Sequence, residues 1–346
     1  MSQKLKAGVA GAGKIARVLH LHEWYESPDA ELTAVYNGDL SFCQDVVAEY
    51  EPKGVVFYDD LDAFLDSGVQ AISVCERNNL HASVSIAASK RGIHVLCEKP
   101  MAMNLAEAQA MIDAAKASGT QLMINQAQRY SPAHLKAREV MQSGVLGKIY
   151  HIQTTFAHPG PEGWSPTSEW FFNKSISGFG PLADLGVHKA DLVRFLTGLE
   201  AVRVCGSKAT LEKPGTVEDN SQALMLMDNG ALAMLATSWT YHGGEDNSFV
   251  AMCENGVLKV NVEPGDSVVV YHKDPARGRE VYPTVAMQDN TQDRWDLGVV
   301  QDFVDAILGR KPNPVPGEAG YKALEMVVAM EASVESGSWV DLPMKV

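Results

Sequence analysis

Residues 5–16 have the sequence LKAGVAGAGKIA, in which an apolar run is followed directly by a glycine-rich turn. The spacing Gly11-x-Gly13-x-x-Ala16 is typical of a strand, a tight turn and a helix that together bind a pyrophosphate. Gly11 permits the turn, Gly13 lets the backbone approach the phosphates, and the small Ala16 lets the helix pack closely on the strand. The amino end of that helix adds free N–H groups and a partial positive charge. The segment therefore predicts a nucleotide-binding domain at the start of the chain.

Residues 1–124 alternate apolar runs with segments of helical periodicity. The strand-like runs are Leu5–Ala10, Glu31–Tyr36, Ala71–Cys75, Gly92–Cys97 and Thr120–Asn125. Strands that alternate with helices predict right-handed βαβ units. We therefore expect an α/β domain with a Rossmann-type, doubly wound parallel sheet in residues 1–124.

Residues 125–346 follow a different pattern. After helical segments near 132–144 and 180–196, strand-like runs follow one another directly between residues 203 and 272. Asn229-Gly230 and Asn255-Gly256 predict hairpin turns, because Asn-Gly tolerates the positive φ that tight turns need. This pattern predicts an α+β domain with a large, mainly antiparallel open sheet. One face of such a sheet is covered by helices, and the other is free for a partner.

Bulk properties exclude several classes of protein. A length of 346 residues favours two domains. The formal net charge of −14 argues against nucleic acid as a partner, and no run of about 18 apolar residues predicts a membrane span. The five cysteines are scattered without metal-finger spacing, which indicates reduced thiols and no metal site. With no secretory signal at the N-terminus, these features favour a cytoplasmic protein.

The second strand ends in Asn37-Gly38-Asp39, where a dinucleotide site needs a group for the adenosine ribose. Asparagine bonds a ribose hydroxyl without repelling a 2′-phosphate. Asp39 would oppose such a phosphate, and the neighbouring sequence has no lysine or arginine to bind it. The residues favour NAD over NADP, and NADP stays an alternative.

Two further groups are candidates for chemistry. Lys99 stands at the carboxyl end of a predicted strand, where ligands of open α/β sheets bind, and Pro100 restricts its backbone. Asp184 and His188 are four residues apart, which places both on one face of a helix. Each residue also has a simpler interpretation. Lys99 would be an ordinary surface lysine, Asp184 would complement the helix dipole, and His188 would be a structural histidine. Together they are the set that hydride transfer from an alcohol needs, because one group must take the hydroxyl proton while another orients the hydroxyl.

The chain resembles the glucose–fructose oxidoreductase / inositol dehydrogenase (Gfo/Idh/MocA) family over essentially its whole length. The resemblance is carried by the GAGKIA turn at 11–16, by His94-Val95-Leu96-Cys97-Glu98-Lys99-Pro100, and by Asp184-Leu185-Gly186-Val187-His188 with the four residues after it. It implies nicotinamide-dependent oxidoreduction at a sugar or cyclitol hydroxyl. It also implies dimers or tetramers formed through the C-terminal sheet.

The resemblance further implies roles for individual residues. Lys99 and His188 would handle the proton, and Asp184 would position the substrate or His188. The expected cofactor-binding residues are Gly11, Gly13, Lys14, Ile15, Ala16, Asn37, Glu76, Asn78, His81, Glu98, Lys99, Pro100 and Gln126. Arg129 would contact the substrate together with Lys99, Asp184 and His188. Aromatic residues of the insert before the Asp184 helix complete the expected substrate-binding set by their chemistry: His158, Trp164 and Trp170.

Some positions depart from the family pattern or allow two interpretations. Glu76 and Arg77 stand where the family commonly has Thr-Pro, and Asn37 replaces the usual acidic residue. The phosphate turn is retained, so we expect cofactor binding with an altered preference. The aromatic insert around His158, Trp164 and Trp170 would stack on a sugar or close a small core of its own.

Three functions share these residues. The leading hypothesis is an NAD(P)-dependent dehydrogenase that acts on a secondary hydroxyl of a sugar, sugar derivative or inositol. A second is a glycosidase that oxidises its substrate transiently, eliminates the glycosidic group and returns the hydride. A third is a dinucleotide-binding regulator without activity, against which the presence of Lys99, Asp184 and His188 together argues.

Overall fold

The computed structural model of the protein describes residues 4–165, 169–283 and 294–345. The chain divides into two compact units. Among the described residues the first unit comprises 4–127 and 294–321, and the second comprises 128–283 and 322–345. No helix among these residues has both the length and the apolar character needed to cross a bilayer.

The first unit is built on a parallel sheet of six strands in the order β3-β2-β1-β4-β5-β6. The strands are β1 Leu5–Ala10, β2 Ala30–Tyr36, β3 Val56–Tyr58, β4 Ala71–Val74, β5 His94–Cys97 and β6 Leu122–Ile124. The helices are α1 Leu21–Glu26, α2 Gln44–Tyr50, α3 Leu61–Leu65, α4 Asn78–Lys90, α5 Leu105–Ser118, α9 Val299–Ile307 and the start of α10 Gly317–Ser336. This order confirms the predicted doubly wound sheet. The prediction missed β3, a three-residue edge strand whose Val56 is exposed.

The late segment 294–321 lies with the first unit, whereas the sequence predicted a single boundary near Asn125. Glu23 in α1 accepts hydrogen bonds from the backbone N–H groups of Leu297, Gly298 and Val300, each at 2.8 Å. The N–H group of Ile124 in β6 donates to the Val315 carbonyl at 2.9 Å. These long-range bonds leave no local signal in the sequence, so the boundary was not visible there.

The second unit is built on a sheet of nine strands in the order β14-β13-β12-β11-β7-β10-β9-β8-β15. Its strands are β7 Ile149–Ala157, β8 Ala201–Ala209, β9 Asn220–Met227, β10 Leu232–Ser238, β11 Phe249–Cys253, β12 Gly256–Glu263, β13 Asp266–His272, β14 Arg279–Tyr282 and β15 Val340–Asp341. Its helices are α6 Pro132–Gln142, α7 Lys174–Ser177, α8 Val187–Thr197 and the rest of α10. The predicted mainly antiparallel sheet and both Asn-Gly hairpins are confirmed. The prediction missed β7, which pairs in parallel with β10.

Alternating burial divides the residues of this sheet between two faces. Side chains such as Met225, Ala233 and Ile152 belong to one apolar core together with residues of α6, α8 and α10. Their neighbours along the strands point to the opposite face, where Leu224 and Leu232 are more than half exposed. In register, Leu224 lies opposite Met234 and Leu232 lies opposite Leu226, so the uncovered face is apolar across β9 and β10.

Candidate active site

The phosphate turn lies at the carboxyl end of β1. Gly11 has φ +91°, and a Cβ atom there would lie 2.6 Å from the Cys75 carbonyl oxygen, so the fold itself requires glycine. At Gly13, by contrast, a Cβ atom would meet nothing within 4 Å, and both Gly13 and Lys14 are exposed. Ala16 is fully buried at the start of a π-helical turn, Ala16–His20, that continues as α1. The open space at Gly13 fits a pyrophosphate at this turn.

Asn37 is already engaged in holding this turn. Its Oδ1 accepts a hydrogen bond from the Ala12 N–H at 3.1 Å, and its Nδ2 donates to the Asp39 carbonyl at 2.6 Å. Asp39 accepts from the Ser41 N–H at 2.9 Å, and its hydrogen bonds with Ser41 lower the pKa of its carboxyl group. The contact of Asn37 with a ribose therefore stays a prediction.

A cation that the local sequence did not reveal lies beside the segment after β2. Arg17 donates to the Phe42 carbonyl at 3.2 Å and to the Ala12 carbonyl at 3.0 Å, and it forms an ion pair with Asp45. The sequence predicted no lysine or arginine near the ribose position. Arg17 does lie there, and its charge is paired with that of Asp45. Its distance along the chain from β2 explains why the sequence around Asn37 gave no signal.

The loop after β4 and the start of α4 contain three residues expected to bind the cofactor: Glu76, Asn78 and His81. His81 lies 2.7 Å from the Pro100 carbonyl and 2.8 Å from the Glu76 carbonyl, and burial lowers the pKa of its ring. His81 therefore ties this loop to the segment after β5. Burial raises the pKa of Glu76, and its Oε1 is buried without a hydrogen-bond partner among the described residues. Asn78, like Gln126 after β6, is buried at the same edge of the sheet.

The segment Glu98-Lys99-Pro100 follows β5 directly and contains a cis bond between Lys99 and Pro100. Glu98 is only 5% exposed, and its Oε2 accepts a hydrogen bond from the Lys99 N–H at 3.1 Å. Its Oε1 lies 2.9 Å from His20 Nε2 and accepts from Asn125 Nδ2 at 2.6 Å. The carboxylate thus fixes the backbone that presents Lys99 at the carboxyl edge of the parallel sheet. The sequence had suggested Glu98 only as a cofactor contact.

In the second unit, Asp184 is the centre of a small polar cluster. Trp239 Nε1 donates to Asp184 Oδ2 at 3.1 Å, and His158 Nε2 lies 3.5 Å from the same oxygen. His158 Nδ1 accepts from the Gly160 N–H at 2.9 Å, which leaves the ring proton of a neutral imidazole on Nε2, facing Asp184. The structure thus brings the predicted His158 and Asp184 together. It adds Trp239, a buried residue just after β10 that the sequence analysis missed.

The helical segment with Asp184 and His188 begins at a buried carboxyl group. Glu218 Oε1 accepts from the Gly180 N–H at 2.8 Å and from the Leu182 N–H at 3.2 Å, and burial raises the pKa of Glu218. A Cβ atom at Gly180 would lie 1.9 Å from the Glu218 carbonyl oxygen, so only glycine fits this close approach. Glu218 therefore holds the start of the π-helical turn Leu182–Gly186 that carries Asp184.

His188 is buried at the start of α8, with its ring centroid 6.3 Å from that of Phe156. Its neighbour Lys189 is fully buried, and its Nζ donates to Asn247 Oδ1 at 2.6 Å and to the Ser248 carbonyl at 3.2 Å. Burial lowers the pKa of Lys189 to about 7, against the attraction of Asp246 and Glu245. An ammonium group with so little solvent around it makes the stability of this unit depend on pH.

We expect Lys189→Met to change how stability depends on pH. Between about pH 7 and pH 10 the unfolded chain binds a proton on Lys189 that the folded protein lacks, so wild-type stability falls as the pH is lowered through this window. Methionine removes that slope. The melting temperature of the variant relative to wild type should therefore rise from pH 10 to pH 7, by about 2–4 °C for each kcal/mol recovered. Lys148→Met, at an exposed position of the same unit, is the control; equal pH profiles for both variants would contradict the prediction.

The aromatic insert forms a small core of its own. Trp170 stacks on Phe171 with ring centroids 3.8 Å apart, and Phe171 is buried with Phe156 and Trp239. Trp164 packs edge-on against Phe171 at 4.9 Å, yet it stays 42% exposed. The structure thus supports the small-core interpretation for Trp170. A role in substrate binding stays a prediction for Trp164 and Trp170.

Arg129 is held by a bidentate ion pair. Its Nε and Nη2 lie 2.6 Å from the two carboxylate oxygens of Asp191 in α8, whose side chain is almost fully buried. The guanidinium group also lies 4.9 Å from the ring centroid of Phe195. This geometry gives Arg129 a part in anchoring α8, and its contact with a substrate stays a prediction.

Two family models match this chain. An oxidoreductase family described as an NAD-binding Rossmann fold matches residues 5–126, and the GFO/IDH/MocA C-terminal domain matches residues 134–259. Together they cover the phosphate turn, Lys99, Asp184 and His188.

Curated relatives and solved structures agree with these matches. The D-glucoside 3-dehydrogenase of Escherichia coli (strain K12) is 28% identical, with 99% of this chain and 98% of the relative covered. The 1,5-anhydro-D-fructose reductase of Ensifer adhaerens is 31% identical over 80% of this chain and 81% of its own. Levoglucosan dehydrogenase in complex with NADH and levoglucosan superposes with a TM-score of 0.84 at 24% identity, covering 99% of this chain and 100% of that one, which establishes the shared fold.

Proposed function

Because the chain belongs to the Gfo/Idh/MocA oxidoreductase family, we propose that it is a dehydrogenase that transfers a hydride between NAD and a secondary hydroxyl of a sugar, sugar derivative or inositol. One observation carries this proposal. The phosphate turn follows β1 and Lys99 follows β5 of the same parallel sheet, so both lie at its carboxyl edge. A bound nucleotide and a proton-handling lysine at one edge are the requirements of alcohol oxidation. The related glucoside, anhydrofructose and inositol enzymes support the substrate class.

Each residue has a defined task in this proposal. Gly11 and Gly13, with the helix that follows, hold the pyrophosphate of the dinucleotide, which supplies the hydride acceptor when bound. Lys99 and His188 take and return the hydroxyl proton, since removal of a hydride from carbon requires loss of that proton from oxygen. Asp184, oriented by Trp239 and His158, accepts a hydrogen bond from the substrate.

A substrate panel tests the function. D-glucosides, levoglucosan, 1,5-anhydro-D-fructose and myo-inositol are incubated with NAD or NADP, or with their reduced forms, while absorbance at 340 nm and the products are followed. We expect net formation or consumption of NADH with at least one of them. Glycoside cleavage without any net change in NADH would point to the oxidation–elimination alternative, and no turnover of the whole panel would contradict the proposal.

We propose that the uncovered face of the nine-stranded sheet binds a second copy of this chain, as a homodimer or within a homotetramer. The apolar pairs Leu224–Met234 and Leu226–Leu232 on β9 and β10 support this, because contiguous apolar surface of this kind marks protein interfaces. We further propose a cytoplasmic location, which the free thiols of the five cysteines support.

We expect Leu224→Lys to disrupt the contact across this face, because it places a charge among the apolar side chains of β9 and β10. A dimer would then fall to monomers, and a tetramer to smaller particles. Light scattering after size exclusion gives the mass of the particle directly. Leu211→Lys, at a similarly exposed leucine outside this face, is the control. A monomeric wild-type protein, or a Leu224→Lys variant of unchanged mass, would contradict the proposed interface.

A further inference from the structure

Glu98 is the last of four buried side chains in the first unit that are connected by hydrogen bonds. Trp24 Nε1 donates to Ser73 Oγ at 2.7 Å, Ser73 Oγ lies 2.9 Å from His20 Nδ1, and His20 Nε2 lies 2.9 Å from Glu98 Oε1. An indole N–H only donates, so the hydroxyl proton of Ser73 is available for His20 Nδ1. His20 Nε2 then carries a proton that faces Glu98. Each of these four side chains then has a hydrogen-bond partner.

The hydrogen-bond donors around Glu98 indicate that its side chain is an ionised carboxylate. Asn125 Nδ2 and the Lys99 N–H also donate to its oxygens, so donors approach both of them. Burial alone would raise the pKa of Glu98, but the hydrogen bond and electrostatic attraction of His20, the charge of Lys99 and the hydrogen bond from Asn125 hold it below its ordinary value. Trp24, Ser73 and His20 are fully buried, so the network has little freedom to rearrange. The Glu98 carboxylate is therefore an anion whose position is fixed.

The sheet order locates this charge along the dinucleotide. The phosphate turn follows β1, the ribose of the adenosine half belongs at the end of β2, and the second nucleotide half therefore lies beyond β4 and β5. Glu98 follows β5 directly. The nicotinamide ring occupies this half when the dinucleotide is bound, and it is positively charged when oxidised and neutral when reduced.

We propose that the Glu98 carboxylate, held by His20 and Asn125, makes the site prefer the oxidised over the reduced dinucleotide. The physical cause is the attraction between a fixed anion and a ring that is cationic in one redox state only. Glu98 is thereby a positioning residue for Lys99 and also a determinant of redox preference. The inference rests on the proposed NAD-dependent function.

Binding measurements on the full-length protein test it without turnover. The dissociation constants of NAD+ and NADH are measured by calorimetric titration for wild type and for Glu98→Gln. We expect NAD+ to bind more weakly by a factor on the order of ten relative to NADH, the scale of one charge interaction in a partly buried site. A purely structural role would weaken both forms by the same factor, because they share the phosphates and the adenosine.

Companion variants separate charge from shape. In Glu98→Gln, the glutamine offers one acceptor oxygen to three donors and places its own amide N–H group among them. Glu98→Ala removes the same charge without adding a donor. It should therefore also weaken the binding of NAD+ more than that of NADH. Glu98→Asp keeps the charge and should keep the wild-type ratio of affinities even where both fall. Glu23→Gln removes a carboxylate of the same unit that accepts the backbone N–H groups before α9, and should lower stability without changing the ratio.

The possible outcomes are distinct. A ratio that is unchanged in both Glu98→Gln and Glu98→Ala overturns the inference while leaving NAD binding intact. A wild-type protein that binds neither dinucleotide overturns the inference and the proposed function together. Differential loss in the charge-removing variants, with the ratio preserved in Glu98→Asp and Glu23→Gln, supports it.

Discussion

A Lys99→Met variant is expected to turn over its sugar substrate roughly 10²–10⁴-fold more slowly than the wild-type protein. Methionine has a similar length and fills similar space, but it neither donates nor accepts a proton. The backbone of residue 99 stays held by the Glu98 carboxylate, so the fold of the turn should be retained. The expected loss is therefore in kcat rather than in cofactor affinity.

The measurement is steady-state kinetics with the best substrate of the panel, together with titration of NADH. Lys90→Met, at the exposed end of α4 in the same unit, is the matched control and should be fully active. An unchanged kcat in Lys99→Met would remove Lys99 from the proton-handling pair. A loss of NADH binding instead of kcat would make it a cofactor ligand only.

The second large effect is expected from substitutions in the phosphate turn, where the fold requires glycine at residue 11 and cofactor binding requires it at residue 13. Gly11→Ala would place a Cβ atom 2.6 Å from the Cys75 carbonyl oxygen and 2.8 Å from the Glu76 backbone nitrogen, at φ +91°. Neither atom belongs to a flexible side chain. We expect the free energy of unfolding to fall by about 2–6 kcal/mol, from overpacking together with backbone strain.

Gly13→Ala is expected to leave the stability unchanged and to weaken NAD binding. The added methyl group meets nothing in the protein within 4 Å, so the melting temperature should stay close to that of wild type. The methyl group does occupy the space through which a pyrophosphate approaches the backbone, and NAD affinity should fall roughly tenfold or more. Thermal unfolding and NADH titration of the two variants distinguish the cases. A stable Gly13→Ala variant with wild-type affinity would show that the pyrophosphate does not bind at this turn.

Local patterns were enough to predict most of the first unit. β1 has the bounds that the sequence indicated, because an apolar run before a glycine turn is a local signal. β7 was missed because no hairpin turn marks it: its neighbours in the sheet, β10 and β11, are distant in sequence. The position of segment 294–321 was missed for the same reason.

The candidate residues divide in a similar way. The sequence identified Lys99 and Asp184 from residue type and position and His158 from the aromatic insert, and the structure brings His158 and Asp184 together. It could not show that Asn37 holds the backbone of the phosphate turn or that Arg129 is paired with Asp191. A side chain's hydrogen-bond partner is a property of three-dimensional proximity, and most partners of these residues are distant along the chain.

The sequence by itself thus determined the family, the parallel sheet with its phosphate turn, and the mainly antiparallel sheet that follows. Those features depend on periodicity, glycine positions and short motifs, all of which are local. Only the tertiary structure decided that Glu98 ends a buried chain from Trp24 through Ser73 and His20, and that Trp239 and Glu218 support the segment with Asp184. Buried polar groups must find partners wherever the fold brings donors and acceptors together, and that choice is made by packing across the chain.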